Sequence, residues 1–202
     1  MYRTCADPFI ENNYTVAIWG YRTYPDSDVP GQIEDLKNCV RYLKGKNEWD
    51  SVSVIGHSSG GHVAVMAALQ EEELCDSLIS ISGVYDIPSH YQWESSRGVE
   101  EFSALKPACG HTEEKWIELS PTRLLLKKST TLPRTLVLHG ALDKTVPYTT
   151  AVNFTEAIKQ TGQDVDLEIF PTVGHSDTCL QLIMGGQTRD SVMKWLSLEK
   201  QN

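Results

Sequence analysis

The residues best suited to chemistry lie in the segment Gly56-His57-Ser58-Ser59-Gly60, between an apolar run and a helical pattern. A serine at the centre of G-x-S-x-G, on a sharp turn from a strand into a helix, can present its Oγ as a nucleophile. Only Ser58 has glycine both two positions before it and two positions after it, so Gly56 and Gly60 single out Ser58 rather than Ser59. The backbone N–H of Ser59 is then the predicted donor to an oxyanion. The alternative is a glycine- and serine-rich turn without chemistry.

A carboxylate and an imidazole follow later apolar runs in the order that would serve this serine. Asp143 comes just beyond one such run, and His175 lies in a glycine-marked loop after the last one. In a triad, His175 would take the proton from Ser58, and Asp143 would orient the imidazole and stabilise its charged form. Asp86, at the end of an earlier run, is a rival for the acid. Taken singly, Asp143 could be a helix cap and His175 an ordinary loop residue.

Short apolar, β-branched runs alternate with helical patterns along the chain. The predicted strands are Thr15–Trp19, Ser51–Ile55, Ser77–Ser82, Thr135–Leu138 and Val165–Phe170. Such alternation predicts an α/β fold with a doubly wound, mostly parallel sheet, and the chain length favours one domain over residues 1–202. The predicted sheet would bring the ends of its strands, and therefore the three candidate residues, to one edge.

The interval from Asp86 to Leu132 breaks this alternation. It is long and rich in Trp, His, Ser, Pro and Glu, and loops of this length inside a compact domain are usually functional. We predict a partly helical cap at about residues 87–128, above the carboxyl ends of the strands. Trp93 and Trp116 of the cap, together with His57 beside the nucleophile, are predicted to line the substrate pocket, although packing roles are the alternative.

The composition narrows the classes of partner. The net charge of −9 argues against a nucleic-acid-binding surface. No stretch reaches the roughly 18 apolar residues of a membrane span, and the first 20 residues do not have the pattern of a secretory signal. Five cysteines without a C-x-x-C pair favour free thiols, which predicts a cytoplasmic protein. We expect no metal and no cofactor, and the sequence leaves the oligomeric state open.

The chain from Tyr14 to Leu198 resembles the α/β-hydrolase superfamily. The similarity is to the branch of hormone-sensitive-lipase-like esterases, feruloyl-esterase-like carbohydrate esterases, arylformamidases and prenylcysteine methylesterases. The segments that carry it are Gly20–Pro25, Gly56–His62, Ser82–Asp86, Ser120–Thr122, His139–Pro147 and Gly174-His175. The resemblance implies a serine esterase that cleaves small-molecule carboxylic esters through an acyl-enzyme, with Ser58, Asp143 and His175 as its triad. An arylformamidase-type amide hydrolase is the alternative within the branch.

One feature of that branch has no counterpart in this sequence. Its members carry a strand ending in His-Gly-Gly upstream of the Gly-Tyr-Arg segment, and here only residues 1–13 come before Tyr14. We therefore expect the first strands and part of the oxyanion hole to be absent. The chain by itself would then be a weak catalyst that an upstream His-Gly-Gly segment would rescue. The rival hypothesis is a non-catalytic remnant that binds a ligand or a partner in the same pocket.

Overall fold

The protein is built on a parallel β-sheet. The computed structural model describes residues 2–103, 105–127 and 130–199. Within them the strands, in spatial order, are β1 (Ser53–His57), β2 (Ser77–Ile81), β3 (Arg134–Gly140) and β4 (Asp166–Phe170). Each pairs in parallel with the next. Because all the strands are parallel, the residues after each strand meet at the same edge of the sheet.

Helices connect the strands and cover the sheet. They are α1 (Asp7–Ile10), α2 (Val29–Lys44), α3 (Ser59–Gln70), α4 (Ile87–Ser96), α5 (Leu105–Ala108), α6 (Glu113–Glu118), α7 (Pro121–Lys127), α8 (Thr149–Gln160), α9 (His175–Met184) and α10 (Gln187–Glu199). Two 3-10 helices lie at Tyr2–Cys5 and Glu100–Phe102. The local sequence explains where α2 begins. Asp28 accepts a hydrogen bond from the Gly31 N–H at 3.0 Å, and Pro30 occupies the first turn.

The core has two parts, one on each face of the sheet. Helices α2, α3, α7 and α8 pack on the first face, and α1, α9 and α10 pack on the second. Successive strand residues alternate between the faces, with Leu78 and Val137 in the first cluster and Ile79 and Leu138 in the second. A parallel sheet with helices on both faces confirms the predicted fold class.

The prediction of a strand at Thr15–Trp19 is wrong. Residues 14–23 form neither helix nor strand, and none of the four described strands pairs with them. β-branched residues favour an extended backbone, but a strand also needs a hydrogen-bonding neighbour, which the local sequence does not specify. Side-chain packing holds this run instead, since Val16 lies against the second core cluster and Trp19 against the first.

Helices α4 to α7 occupy the interval between β2 and β3 and form the cap. Position 128, where the cap was predicted to end, lies outside the described residues. Two buried hydrogen bonds tie the cap together and to the sheet layer: the Ile87 N–H donates to Ser120 Oγ at 2.9 Å, and His62 Nε2 of α3 donates to the Leu119 carbonyl at 2.9 Å. That residues 1–202 form a single domain stays a prediction.

Candidate active site

The turns after β1, β3 and β4 place three side chains in one hydrogen-bonded line. Ser58 Oγ lies 2.9 Å from His175 Nε2, and His175 Nδ1 lies 2.7 Å from Asp143 Oδ2. Ser58 and His175 are 117 residues apart in the chain, so only the parallel sheet brings them together. The line has the order and geometry of a nucleophile, a base and an orienting acid.

The backbone at Ser58 is strained in the way that a nucleophile elbow requires. Ser58 has φ 55° and ψ −121°, a conformation that L residues seldom adopt. Its N–H donates to the Ile81 carbonyl at 2.9 Å, which holds the end of β1 against the end of β2. A Cβ at Gly56 would meet the Gly60 carbonyl oxygen at 2.3 Å, so only glycine fits there. Gly60 itself has room for a side chain, and the steric argument for a glycine therefore applies at Gly56.

Asp143 is held as an ionised carboxylate. Its side chain is fully buried, and its Oδ1 accepts hydrogen bonds from the N–H groups of Thr145 and Val146, each at 2.8 Å. His139 Nε2 lies 3.2 Å from Oδ2, on the same oxygen that His175 contacts. Burial alone would raise the pKa of Asp143, but the hydrogen bonds from His139, His175 and the Val146 N–H outweigh burial and hold it well below its ordinary value. The carboxylate therefore suits the stabilisation of a charged imidazole.

His175 begins α9, and its backbone is fixed at several points. The Gly174 N–H donates to Asp177 Oδ2 at 2.9 Å, so Asp177 caps this helix. The carbonyl of His175 accepts from His57 Nε2 at 3.0 Å and from Thr178 Oγ1 at 2.7 Å. His57, predicted to line the pocket, thus contacts the main chain of the candidate base.

Ser59, the predicted oxyanion donor, lies at the start of α3. Ser59 is the first residue of α3, where backbone N–H groups have no partner within the helix and the helix dipole favours negative charge. Tyr21 Oη lies 3.1 Å from Ser59 Oγ, a contact that sequence reasoning missed. In the sequence, Tyr21 stands out as part of the Gly-Tyr-Arg segment that carries the family resemblance. That segment alone predicts no role for its side chain.

The rival acid, Asp86, caps a helix and pairs with an arginine. Its Oδ1 accepts from the Ser89 N–H at 2.9 Å, which caps α4, and its Oδ2 pairs with Arg123 Nε at 2.5 Å. Both carboxylate oxygens are therefore engaged at the base of the cap. The geometry places Asp143, and not Asp86, on His175.

The contacts of the two predicted pocket tryptophans lie within the cap. Trp116 Nε1 donates to the Gly110 carbonyl at 2.7 Å, and its ring lies 5.1 Å from that of Tyr91. Trp93 carries the guanidinium of Arg97 over its ring at 5.2 Å. Arg97 also donates to the Lys144 carbonyl, next to Asp143, so the end of α4 reaches the acid turn. A part for either tryptophan in binding substrate stays a prediction.

Neither a metal-binding cluster nor a membrane-spanning helix is found in residues 2–103, 105–127 and 130–199. No group of three or more His, Cys, Asp or Glu side chains there is arranged to hold a metal ion. None of the helices in these ranges is both long and apolar enough to cross a membrane.

Comparison with known proteins agrees with the fold and identifies the family of the chain. Residues 28–199 match the model of the prolyl oligopeptidase family, and the chain belongs to that family. This places it among the α/β-hydrolases, as the sequence resemblance implied.

Relatives in sequence include two plant hydrolases. The chain is 24% identical over 194 residues to the isoprenylcysteine alpha-carbonyl methylesterase of Arabidopsis thaliana, which covers 85% of this chain and 45% of the relative. It is also 24% identical over 173 residues to the acylamino-acid-releasing enzyme of the same plant, covering 77% of this chain and 22% of that one. The chain thus spans less than half the length of either relative.

Solved structures of esterases share the fold. Esterase B of Lactobacillus rhamnosis superposes with a TM-score of 0.71 at 19% identity, covering 90% of this chain and 66% of that one. A truncated form of a carbohydrate esterase from gut microbiota gives a TM-score of 0.74 at 18% identity, covering 98% and 79% respectively. At these identities the two neighbours show that the chain shares their fold.

Proposed function

We propose that the protein hydrolyses carboxylic esters of a small molecule through an acyl-enzyme, with Ser58 as nucleophile, His175 as general base and acid, and Asp143 as the orienting acid. The observation that carries the proposal is the continuous hydrogen-bonded line from Ser58 Oγ through His175 to Asp143. The esterase names of the relatives support the reaction class.

In the first half of the reaction, His175 Nε2 takes the proton of Ser58 Oγ as that oxygen attacks the ester carbonyl carbon. The carbonyl π electrons move to its oxygen, which becomes the oxyanion of a tetrahedral intermediate. In this proposal the Ser59 N–H, at the start of α3, donates to this oxyanion. When the intermediate collapses, the bond to the alkoxy oxygen breaks, and His175 gives its proton to the departing alcohol.

In the second half, water replaces the alcohol. His175 removes a proton from the water, whose oxygen attacks the acyl carbon, and a second tetrahedral intermediate forms. Its collapse releases the carboxylic acid and returns the proton to Ser58 Oγ. The buried, ionised Asp143 stabilises the imidazolium that forms in both halves.

A fluorophosphonate probe and p-nitrophenyl acetate together test this proposal. We expect the probe to label the protein at Ser58, with labelling and hydrolysis lost in Ser58→Ala and labelling kept in Ser59→Ala. Ser59→Ala is the matched control because it keeps the backbone N–H. Labelling that survives in Ser58→Ala would overturn the assignment of the nucleophile. A wild-type chain that is neither labelled nor active would favour a binding role for the pocket.

Amide hydrolysis is the second candidate function, favoured by the match to a peptidase family. The same three residues would act, with an amine as the leaving group. Comparing an ester with the amide of the same acyl group separates the two. Because esters are intrinsically more reactive, both kinds of enzyme should cleave the ester, whereas only an amide hydrolase should turn over the amide at a measurable rate. The five free cysteines support a reducing compartment, and we propose the cytoplasm.

A further inference from the structure

His57 occupies a position that its place in the G-x-S-x-G motif does not explain. It is the last residue of β1, directly before Ser58, and it is half-buried. Its Nε2 lies 3.0 Å from the carbonyl oxygen of His175, and the two imidazole rings are 4.9 Å apart between centroids. A carbonyl oxygen can only accept, so Nε2 of His57 carries the hydrogen.

The same carbonyl has a second donor. Thr178 Oγ1, one turn further along α9, donates to it at 2.7 Å, and Thr178 Oγ1 also lies 3.2 Å from Ser82 Oγ beyond the end of β2. Both Thr178 and Ser82 are fully buried. The carbonyl of His175 is therefore fixed to the ends of β1 and β2 and to its own helix.

Hydrogen bonds thus hold both the ring and the main chain of His175. Its ring is bound by Ser58 and Asp143, and its main chain is bound by His57 and Thr178. Ser58 and His57 are consecutive residues of the chain. A shift of His175 relative to the nucleophile would therefore stretch a bond to the ring and a bond to the backbone together. Misplacement of a catalytic group by about 1 Å can lower turnover roughly 10²-fold.

We infer that His57 is a positioning residue, which holds the backbone of His175 so that its imidazole stays in line with Ser58 and Asp143. The inference rests on the proposed function of this triad. It assigns to His57 a donor that acts through His175 and does not touch the substrate.

The charge of His57 fits this role. Burial lowers its pKa, the hydrogen bond to the His175 carbonyl partly opposes burial, and the nearby imidazoles of His175 and His139 lower the pKa while Asp143 raises it. The net direction is downward, so His57 is neutral around pH 7 and adds no second positive charge beside the imidazolium of His175.

Three substitutions separate the donor from the ring. His57→Gln keeps an N–H close to the position of Nε2, His57→Asn carries the same amide on a shorter side chain, and His57→Phe keeps the ring without a donor. With p-nitrophenyl acetate we expect His57→Phe and His57→Asn to lower kcat about 10-fold with little change in KM, the effect of losing one ordinary hydrogen bond. His57→Gln should restore most of the rate. The exposed His111 supplies the control His111→Phe, which should leave kcat unchanged.

An NMR measurement tests the inference without relying on activity. In protein labelled with [15N]histidine, the Nδ1–H signal of His175 reports its hydrogen bond to Asp143. We expect a sharp signal in the wild type and in His57→Gln and a broadened one in His57→Phe. Equal kcat in all three variants, an equal fall in all three, or an unaltered His175 signal in His57→Phe would overturn the inference. If the wild type proves inactive and unlabelled, the proposed function fails, and the NMR comparison alone decides whether His57 positions His175.

Discussion

The Asp143–His175 pair at the carboxyl edge of the sheet and helix α4 of the cap differ in how well their polar groups are paired. Both oxygens of Asp143 accept hydrogen bonds, and both ring nitrogens of His175 are engaged. In α4 of the cap, Nε2 of the buried His90 lies 3.3 Å from Glu94 Oε1, while His90 Nδ1 and Glu94 Oε2 have no hydrogen-bond partner in the described part of the chain. Nε1 of Trp93 is also without one there.

We expect this difference in pairing to make the Asp143–His175 pair more rigid than α4. A buried polar atom left without a partner typically costs about 1–3 kcal/mol, and this cost applies to His90, Trp93 and Glu94 of α4. Beside the triad it applies to Nδ1 of His139, whereas Asp143 and His175 themselves are fully paired. Burial lowers the pKa of His90 despite the neighbouring Glu94, and a neutral imidazole does not compensate the charge of the carboxylate. Changes in the turns should therefore affect catalysis itself, and changes in the cap should affect the choice of substrate.

The strongest test compares two aspartates, one in each region. Asp143→Asn should lower turnover about 10⁴-fold, because an amide cannot stabilise the imidazolium of His175 or fix its tautomer. Asp86→Asn is the matched control: asparagine still caps α4, and only the charge pair with Arg123 is lost, so turnover should change by no more than a few fold. Ester hydrolysis by both purified variants measures this. Equal losses in the two would remove the distinction between the turns and the cap.

A second test addresses the contact between the regions. His62 of α3 is fully buried, and burial lowers its pKa to about 4, with its hydrogen bond to the Leu119 carbonyl of the cap partly opposing burial. In the unfolded chain a histidine has a pKa near 6.5, so the unfolded state binds more protons than the folded state between these values. The stability contributed is present above about pH 6.5 and is lost as the pH falls toward 4.

His62→Gln should reduce that pH dependence, because glutamine can donate to the same carbonyl but does not titrate. We expect the free energy of unfolding in urea to fall by about 2 kcal/mol more in the wild type than in His62→Gln between pH 7.5 and pH 5. Because the two proteins differ at this one residue, the difference between their pH curves reports on His62. Parallel pH curves for the two would show that His62 does not titrate as its burial implies.

The smallest effect is expected in the cap. Trp93→Ala and Trp116→Ala should change the preference among ester acyl chains by several fold, since differences of about one methylene in a pocket are worth roughly 1–3 kcal/mol. Trp49→Ala, outside the cap, is the control. The measurement is kcat/KM across p-nitrophenyl esters of increasing chain length. A uniform fall on every ester would indicate a loss of folded protein and would count against a role in specificity.

Local sequence was sufficient where the structure depends on local geometry. The strained turn at Ser58 and the glycine at Gly56 belong to a short motif whose shape depends on a few residues. The apolar runs of β1 to β4 and the helices between them follow from periodicity, and they settle the fold class. Asp143 and His175 were identifiable because each stands just after a strand whose carboxyl end must reach one edge of the sheet.

Local sequence patterns do not predict contacts between residues that are far apart in the chain. Thr15–Trp19 has the composition of a strand, but pairing is a property of two segments, and no described strand lies beside it. Tyr21 reaches Ser59 across 38 residues, and His57 reaches the His175 carbonyl across 118. No local periodicity in the sequence predicts either of these two contacts. His57 was singled out for its neighbour Ser58, while its bond to the base depends on how α9 is seated.

The hydrogen bonds between strand ends bear on how the chain gains its activity. The Ser58 N–H binds the end of β2, the Ser82 N–H binds Leu138 of β3, and the Ala141 N–H binds Phe170 of β4. The triad is thus assembled from three strand ends whose alignment depends on every pairing in between. Parallel pairings join segments far apart in sequence, and such contacts form slowly because long loops must close first. Helices can form early during refolding, but ester hydrolysis should return only after all three strand pairings have formed and His175 lies beside the serine.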